Sequence, residues 1–344
     1  MSRRDAIGGH SPVDVVYLWV DGADPRWRAR RQRAYGDWRV RHPQDLAVFG
    51  NVAGRYRDNG ELRFNLRALE RFFPDHGHVW IVTDAQVPKW LAASPGVTVV
   101  DHRDLIPGAA LPVFDSGHIE SYVHHIPGLA ERYFYLNDDI FFGAPVDVAA
   151  WFGGKLTVAM EPRPIVGHAE LQPAETALVN ASILSANWLA RTYPGYVHDW
   201  RLFSHAPRPF LRSAMLELED LAPELFRTVR STTFRSWRVP PLVSDLALRW
   251  MVHTGVASCV TLDPLYLCTG DEAAETQFSE LRSRFGRLPF FCINDTCDDA
   301  LAHDPRLLRV ASALEAVLPT QSPFERRSHR DPFRLADRAD VLAA

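Results

Sequence analysis

Residues 115–143 read DSGHIESYVHHIPGLAERYFYLNDDIFFG, and in them an apolar run from Tyr133 to Leu136 ends abruptly in Asn137, Asp138 and Asp139 before apolar residues resume at Ile140. Burying an ionised carboxylate without a partner is very costly, so neighbouring acids at the end of a buried strand are hydrogen-bonded, protonated or bound to a cation. A hard divalent ion such as Mg²⁺ takes oxygen ligands and leaves positions free for substrate phosphates, which makes Asp138 and Asp139 candidate ligands of a metal-diphosphate site. The same residues also suit a plain turn, because Asn and Asp bond to nearby backbone. Glu120 belongs to a helical stretch upstream, and its spacing allows it to meet Asp139 at one sheet edge.

Other polar residues stand out by their surroundings. His205 lies in SHAPRPF, where prolines restrain the chain at an exposed position, unlike a core histidine inside a periodic apolar run. Arg235 sits in TTFRSWRVPP, a locally extended region. Trp19, Asp21 and Gly22 close the apolar run at residues 14–20. Ligands of open α/β sheets gather beyond the carboxyl ends of strands, so these three are candidates for nucleotide contact, with a polar turn as the plain alternative. Arg63 and Arg67 are one helical turn apart and either reach phosphate or face solvent. Cys292 and Cys297 fall outside the commonest zinc spacing, and Cys259 and Cys268 form no matching second pair, which favours reduced core thiols over a zinc site or a disulfide.

The elements that position these groups follow from periodicity. DVVYLWV, HVWIVTD and VTVVDH read as buried strands, and Leu62, Leu66, Leu69 and Phe73 repeat at helical spacing between the first two. Alternating strands and helices imply a mainly parallel sheet with helices on its faces. PKWL reads as a short helical turn, the segment up to Arg57 as a mobile loop, LTVAM and FFCIND as late strands, and the Pro-rich turn at His205 as leading directly into helix. The 344 residues carry 47% apolar and 23% charged residues and a net charge of −4, an ordinary globular balance with no global sign of nucleic-acid binding. Nearly all positive side chains are Arg, with Lys only at Lys89 and Lys155. No run of about eighteen apolar residues occurs and the first residues lack an apolar signal core, so the expected location is cytoplasmic, with the inner membrane face compatible.

Four separated segments, in order, resemble the Stealth proteins, bacterial capsule and exopolysaccharide phosphotransferases related to the lysosomal-enzyme N-acetylglucosamine phosphotransferase of animals. The first is VDVVYLWVDGADP; the second is DNGELRFNLRALERFFP with HVWIVTDAQVPKWL and HIESYVHHIPGLAERYFYLNDDIFFG; the third is SHAPRPFLRSAMLELE with TFRS; the fourth is FCIND. The resemblance implies an α/β fold like that of GT-A nucleotide-diphosphosugar transferases, with a helical insertion and C-terminal part. It implies one catalytic domain over residues 13–318, helix-rich at 175–260, between a flexible N-terminus at 1–12 and a loosely attached tail at 319–344.

The implied reaction is transfer of a sugar 1-phosphate from a nucleotide sugar, UDP-N-acetylhexosamine or UDP-hexose, to a glycan hydroxyl, with Mg²⁺ or Mn²⁺. Carried over residue by residue, Glu120, Asp139, His205 and Arg235 are the expected catalytic set, with Asp138 beside Asp139 on the metal. Trp19, Asp21, Gly22, Arg63 and Asn137 are expected to contact the nucleotide sugar. Glu120 is left as a second base, a metal ligand or the residue orienting His205. Leu18 and Asp21 stand where many members have Thr and Asn, and the FRS segment runs into WRVPP rather than a more acidic continuation; both departures bear on substrate identity. The competing readings are a GT-A glycosyltransferase that releases nucleoside diphosphate and a non-catalytic nucleotide-sugar-binding protein.

Overall fold

The apolar run after Pro12 becomes β1 (Val13–Leu18), the strand about which the chain is wound. A computed structural model describes residues 12–262, 264–301 and 303–326. After β1, Asp24 accepts hydrogen bonds from the amides of Arg26 and Trp27 and Pro25 takes the first turn, which starts α1 (Pro25–Arg41). The apolar face of α2 (Glu61–Phe72) then packs on the sheet built by β2 (Val79–Thr83) and β3 (Val97–Asp101). Two short helices, α3 (His102–Leu105) and α4 (Ser116–Glu120), lead to β4 (Arg132–Asn137) and, after a two-residue turn, β5 (Ile140–Phe142).

The second half holds α5 (Val148–Phe152), β6 (Leu156–Pro164), α6 (Ala177–Thr192), β7 (Arg201–Phe203) and β8 (Arg208–Leu211). There follow α7 (Arg212–Leu221), α8 (Pro223–Val229), α9 (Leu246–His253), β9 (Ala257–Thr261), β10 (Leu265–Cys268), α10 (Ala274–Arg284), β11 (Phe290–Asn294) and α11 (Pro305–Val317). The central sheet has the order β3-β2-β1-β4-β8, parallel through its first four strands and closed by the antiparallel β8. Because β1 is paired on both edges and covered on both faces, its residues form an unbroken apolar run, with Asp14 the one acid. Two smaller sheets, β10-β11-β5 and β7-β6-β9, flank it.

This order reverses direction at β1: the chain builds outward to β2 and β3, then crosses back to lay β4 on the other edge. At such a reversal the loops beyond adjacent strands diverge and leave a crevice. The register pairs Leu18 with Asn137, so the chain after β1 and the acids after β4 leave the sheet side by side.

Four local expectations are corrected. The stretch after His205 enters strand β8 before helix α7, because pairing with β4 overrides local helical preference, and residues 175–260 therefore mix helices with β7, β8 and β9. PKWL forms a turn and an isolated bridge from Leu91 to Glu325 rather than a helical turn. The segment up to Arg57 is pinned: Ala53–Tyr56 is a 3-10 turn, and a Cβ on Gly54 would lie 2.2 Å from the Asp295 carbonyl, so only glycine permits that approach. Residues 319–326 are docked rather than loose, with Ser322, Phe324 and Glu325 all buried. The rest of the expected tail and the expected flexible N-terminus up to residue 11 lie outside the described residues.

Candidate active site

The turn after β4 is built from below by α2. Asn65, fully buried, donates through Nδ2 to the carbonyls of Asp138 at 3.1 Å and Ile140 at 2.5 Å, while its Oδ1 accepts from the Tyr17 hydroxyl at 3.0 Å. The Asp139 carbonyl accepts from the Ile293 amide at 3.0 Å, and the Cys292 thiol points at Asp139 Oδ2 from 3.5 Å. Asp139 Oδ1 has no hydrogen-bond partner. Burial pushes the Asp139 carboxyl up to about 6, against the pull of the Cys292 thiol and the charges of Arg55 and Arg208. Burial and the like charges of Asp139, Glu61 and Asp58 hold Asp138 well above the usual carboxylate range. Burial and Asp58 raise Glu61 to about 8.

The opposite wall is basic. Across the β4–β8 ladder Arg208 faces Tyr135, and it is buried with its Nε unpaired. Glu120, at the end of α4, is buried; that burial raises its pKa against the charges of Arg208 and Arg235 and a hydrogen bond with Tyr135. The Tyr135 hydroxyl also donates to Asn137 Oδ1 at 3.2 Å. One phenolic proton cannot serve both acceptors, so Asn137 and the Glu120 carboxylate compete for it. His205 is half-buried, and burial together with Arg208, Arg235 and Arg55 lowers its imidazole to about 4. Arg235 donates to Ser116 Oγ, and its Nε lies 3.7 Å from Asp115 Oδ1, the acid that caps α4 through the Gly117 amide at 3.0 Å.

Glu120, Asp139 and His205 each feel the charge of Arg208, and Glu120 and His205 also that of Arg235, so the four expected catalytic residues share one electrostatic neighbourhood. Asn137 joins them through Tyr135. The other expected nucleotide contacts differ. Arg63 donates through Nε to Glu325 at 2.5 Å, and Arg67 binds the same carboxylate at 2.7 Å, so the docked C-terminal segment competes with any phosphate for Arg63. Gly22 is a packing glycine: a Cβ there would sit 2.1 Å from the Tyr56 carbonyl. Asp21 exchanges backbone hydrogen bonds with the Gln86 side chain at 3.0 and 2.9 Å and caps the Ala23 amide at 2.9 Å. Trp19 is buried, and its indole nitrogen approaches Asp58 without completing an aligned bond.

Sequence reading missed Arg55, Asn65, Tyr135, Arg208 and Tyr266, whose ring packs 4.8 Å from that of His205. Arg208 carried a signal, since a cation between prolines and FL points into apolar surroundings; Arg55 carried none. Cys292 and Cys297 are buried free thiols, as expected, but Cys259 is exposed and Cys268 only partly covered, so the expectation of core thiols fails for these two.

A divalent ion suits the turn after β4: Asp139 Oδ1 is bare, and the crowded acids Asp58, Glu61 and Asp138 would be relieved by positive charge. Among the described residues, three protein ligand atoms within 4.8 Å of one another occur instead at His124, His125 and Glu219, where Arg230 already occupies the carboxylate. A cavity of about 870 Å³ lined in part by Trp38, Tyr122, Phe226 and Arg230 contains none of the four expected catalytic residues. No helix among the described residues is long and apolar enough to cross a membrane.

At the reversal point of a largely parallel sheet, where ligands of open α/β folds gather, the acids after β4 thus lie near Arg55, Arg208 and His205. Stealth protein conserved region 1 matches residues 11–36 and conserved region 2 matches residues 55–159. The exopolysaccharide phosphotransferase SCO6023 of Streptomyces coelicolor is 36% identical over 324 residues, covering 92% of this chain and 53% of that protein. The exopolysaccharide phosphotransferase CpsY of Mycobacterium tuberculosis is 32% identical over 317 residues, covering 91% of this chain and 58% of its own. SCO2592 of Streptomyces coelicolor, also named an exopolysaccharide phosphotransferase, is 32% identical over 326 residues that make up 33% of its length. The chain thus spans from a third to under two thirds of the length of these curated relatives. It carries conserved regions 1 and 2 of the Stealth proteins and is similar over most of its length to proteins named exopolysaccharide phosphotransferases.

Proposed function

We propose that this chain transfers a sugar 1-phosphate from a nucleotide sugar, UDP-N-acetylhexosamine or UDP-hexose, to a glycan hydroxyl during exopolysaccharide or capsule synthesis. The observation that carries this is the grouping of Glu120, Asp139 and His205 about Arg208, drawn from segments far apart in the chain. Phosphoryl transfer needs a proton acceptor for the attacking hydroxyl, neutralisation of the diphosphate, and in-line alignment. The groups present match those needs.

His205, neutral at cellular pH, takes the proton of the acceptor hydroxyl. The acceptor oxygen forms a bond to the phosphorus that bears the sugar, and the bond from that phosphorus to the bridging oxygen breaks. The electron pair leaves with the nucleoside monophosphate, and the sugar carbon keeps its configuration. Arg208, Arg235 and Arg55 stabilise the charge on the transferring phosphoryl group. Donor binding also strengthens the base, because an anionic diphosphate offsets the three cations that depress the imidazole. Glu120 lies within the charge of both Arg208 and Arg235, where its carboxylate would offset their positive charge. Asp138 and Asp139 would hold Mg²⁺ or Mn²⁺, which supplies charge neutralisation for the diphosphate.

Incubation with UDP-N-acetylglucosamine or UDP-glucose and glycan acceptors, followed by mass analysis, tests the reading. Nucleoside monophosphate and a phosphodiester product are expected, and His205→Ala should lower turnover by roughly 10²- to 10⁴-fold while sparing donor affinity. Nucleoside diphosphate would establish glycosyl transfer instead, and no donor turnover would leave only a binding role.

A further inference from the structure

Beside the reacting groups stands an aromatic ring that the proposed chemistry does not use. Tyr266 lies on β10, an edge strand of the β10-β11-β5 sheet. Leu265 and Leu267 on either side of it are buried, whereas Tyr266 keeps 37% of its surface exposed. The register pairs Tyr266 with Cys292, whose thiol meets Asp139, so the tyrosine projects from the sheet on the side of the catalytic turn. Its backbone is held by Gln277, whose Nε2 donates to the Tyr266 carbonyl at 3.2 Å. One part of the ring packs against His205, with centroids 4.8 Å apart and planes tilted by 53°. The remainder faces solvent within electrostatic reach of Asp139 and Arg55.

A large aromatic surface left partly open at the mouth of a polar site is a platform for a ligand with a flat apolar face. Two ligands enter this crevice. The diphosphate of the donor belongs with the arginines and the acids at the ends of β1 and β4. The ring touching the base lies where the acceptor hydroxyl must arrive. A pyranose carries one face of C–H groups that can cover an aromatic ring while its hydroxyls stay solvated or bonded. We infer that Tyr266 is the acceptor platform: it receives the pyranose ring that bears the attacking hydroxyl and sets that hydroxyl against His205. This rests on the phosphotransfer reading for the role of His205.

The test uses acceptors that differ only in having a ring face. With UDP-N-acetylglucosamine and UDP-glucose as donors, methyl pyranosides of glucose, galactose, mannose and N-acetylglucosamine are compared with glycerol, which offers hydroxyls and no ring. The wild-type enzyme should prefer at least one pyranoside over glycerol. Tyr266→Ala should raise the KM for that pyranoside roughly 3- to 10-fold, the size expected for loss of one aromatic contact, and leave the donor KM in place. Tyr266→Leu fills the same space without a flat π face and should show the same defect, whereas Tyr266→Phe and Tyr266→Trp should keep the preference. The inference is overturned if the wild type shows no preference for a ring, if alanine or leucine leaves the pyranoside KM unchanged, or if donor KM rises in its place. Release of nucleoside diphosphate in these same assays defeats the proposed reaction and leaves the acceptor comparison standing.

Discussion

At the turn after β4 burial pushes the Asp139 carboxyl up to about 6, outweighing the thiol and the arginines that favour its charged form. A protonated carboxyl is a poor metal ligand, so at limiting Mg²⁺ the rate should fall as pH drops through that value. Metal binding favours the carboxylate, which displaces the apparent pKa downward; at saturating Mg²⁺ the acid limb should therefore lie at lower pH. Rate profiles at two metal concentrations check this, and a limb that stays fixed would separate Asp139 from the metal. Arg208 stands beside the four residues recognisable by motif, since its charge acts on Glu120, Asp139 and His205 alike. Its flanking residues signalled burial, but its place opposite Tyr135 did not show, because a contact across a β-ladder has no local signature.

Among the elements, α2 does more than cover the sheet. Its Asn65 ties Tyr17 on β1 to the Asp138 and Ile140 carbonyls, linking the two strands that flank the crevice. Asn65→Leu keeps the branched shape and the number of heavy atoms and strips all three hydrogen bonds. Each buried polar group left bare costs about 1–3 kcal/mol, so a loss of stability on the order of 3 kcal/mol is expected in urea unfolding, together with a higher Mg²⁺ requirement as the acidic turn loosens. An unchanged metal requirement would mean that the turn keeps its shape without the helix. The helical face itself was plain in the spacing of Leu62, Leu66 and Leu69, but the polar residue among them was not. A buried Asn reads like any surface Asn until its partners are in place.

At the scale of the molecule, the segment after α11 folds back over α2, where Glu325 receives Arg63 and Arg67 and completes one face of the domain. The side chains of Glu325 and Arg67 are both almost wholly buried, at 1% and 2% exposure. Glu325→Gln removes the buried carboxylate charge and leaves the Arg67 guanidinium with Glu315, the Leu318 carbonyl and one amide oxygen. Removal of one partner of a buried pair costs about 3–5 kcal/mol, and the remaining acceptors point to the low end; thermal or urea unfolding should register the drop. Buried strands, the amphipathic α2 and the paired acids after β4 were all legible in the sequence, because burial periodicity and local charge are properties of neighbouring residues. The order of the strands, the return of β8 beside β4 and the placing of Glu120, Asp139 and His205 within reach of the Arg208 charge were decided only by tertiary structure. So was the engagement of Arg63 by Glu325, since long-range pairing is selected by how the whole chain buries its surface and satisfies its charges, and no short stretch contains both partners.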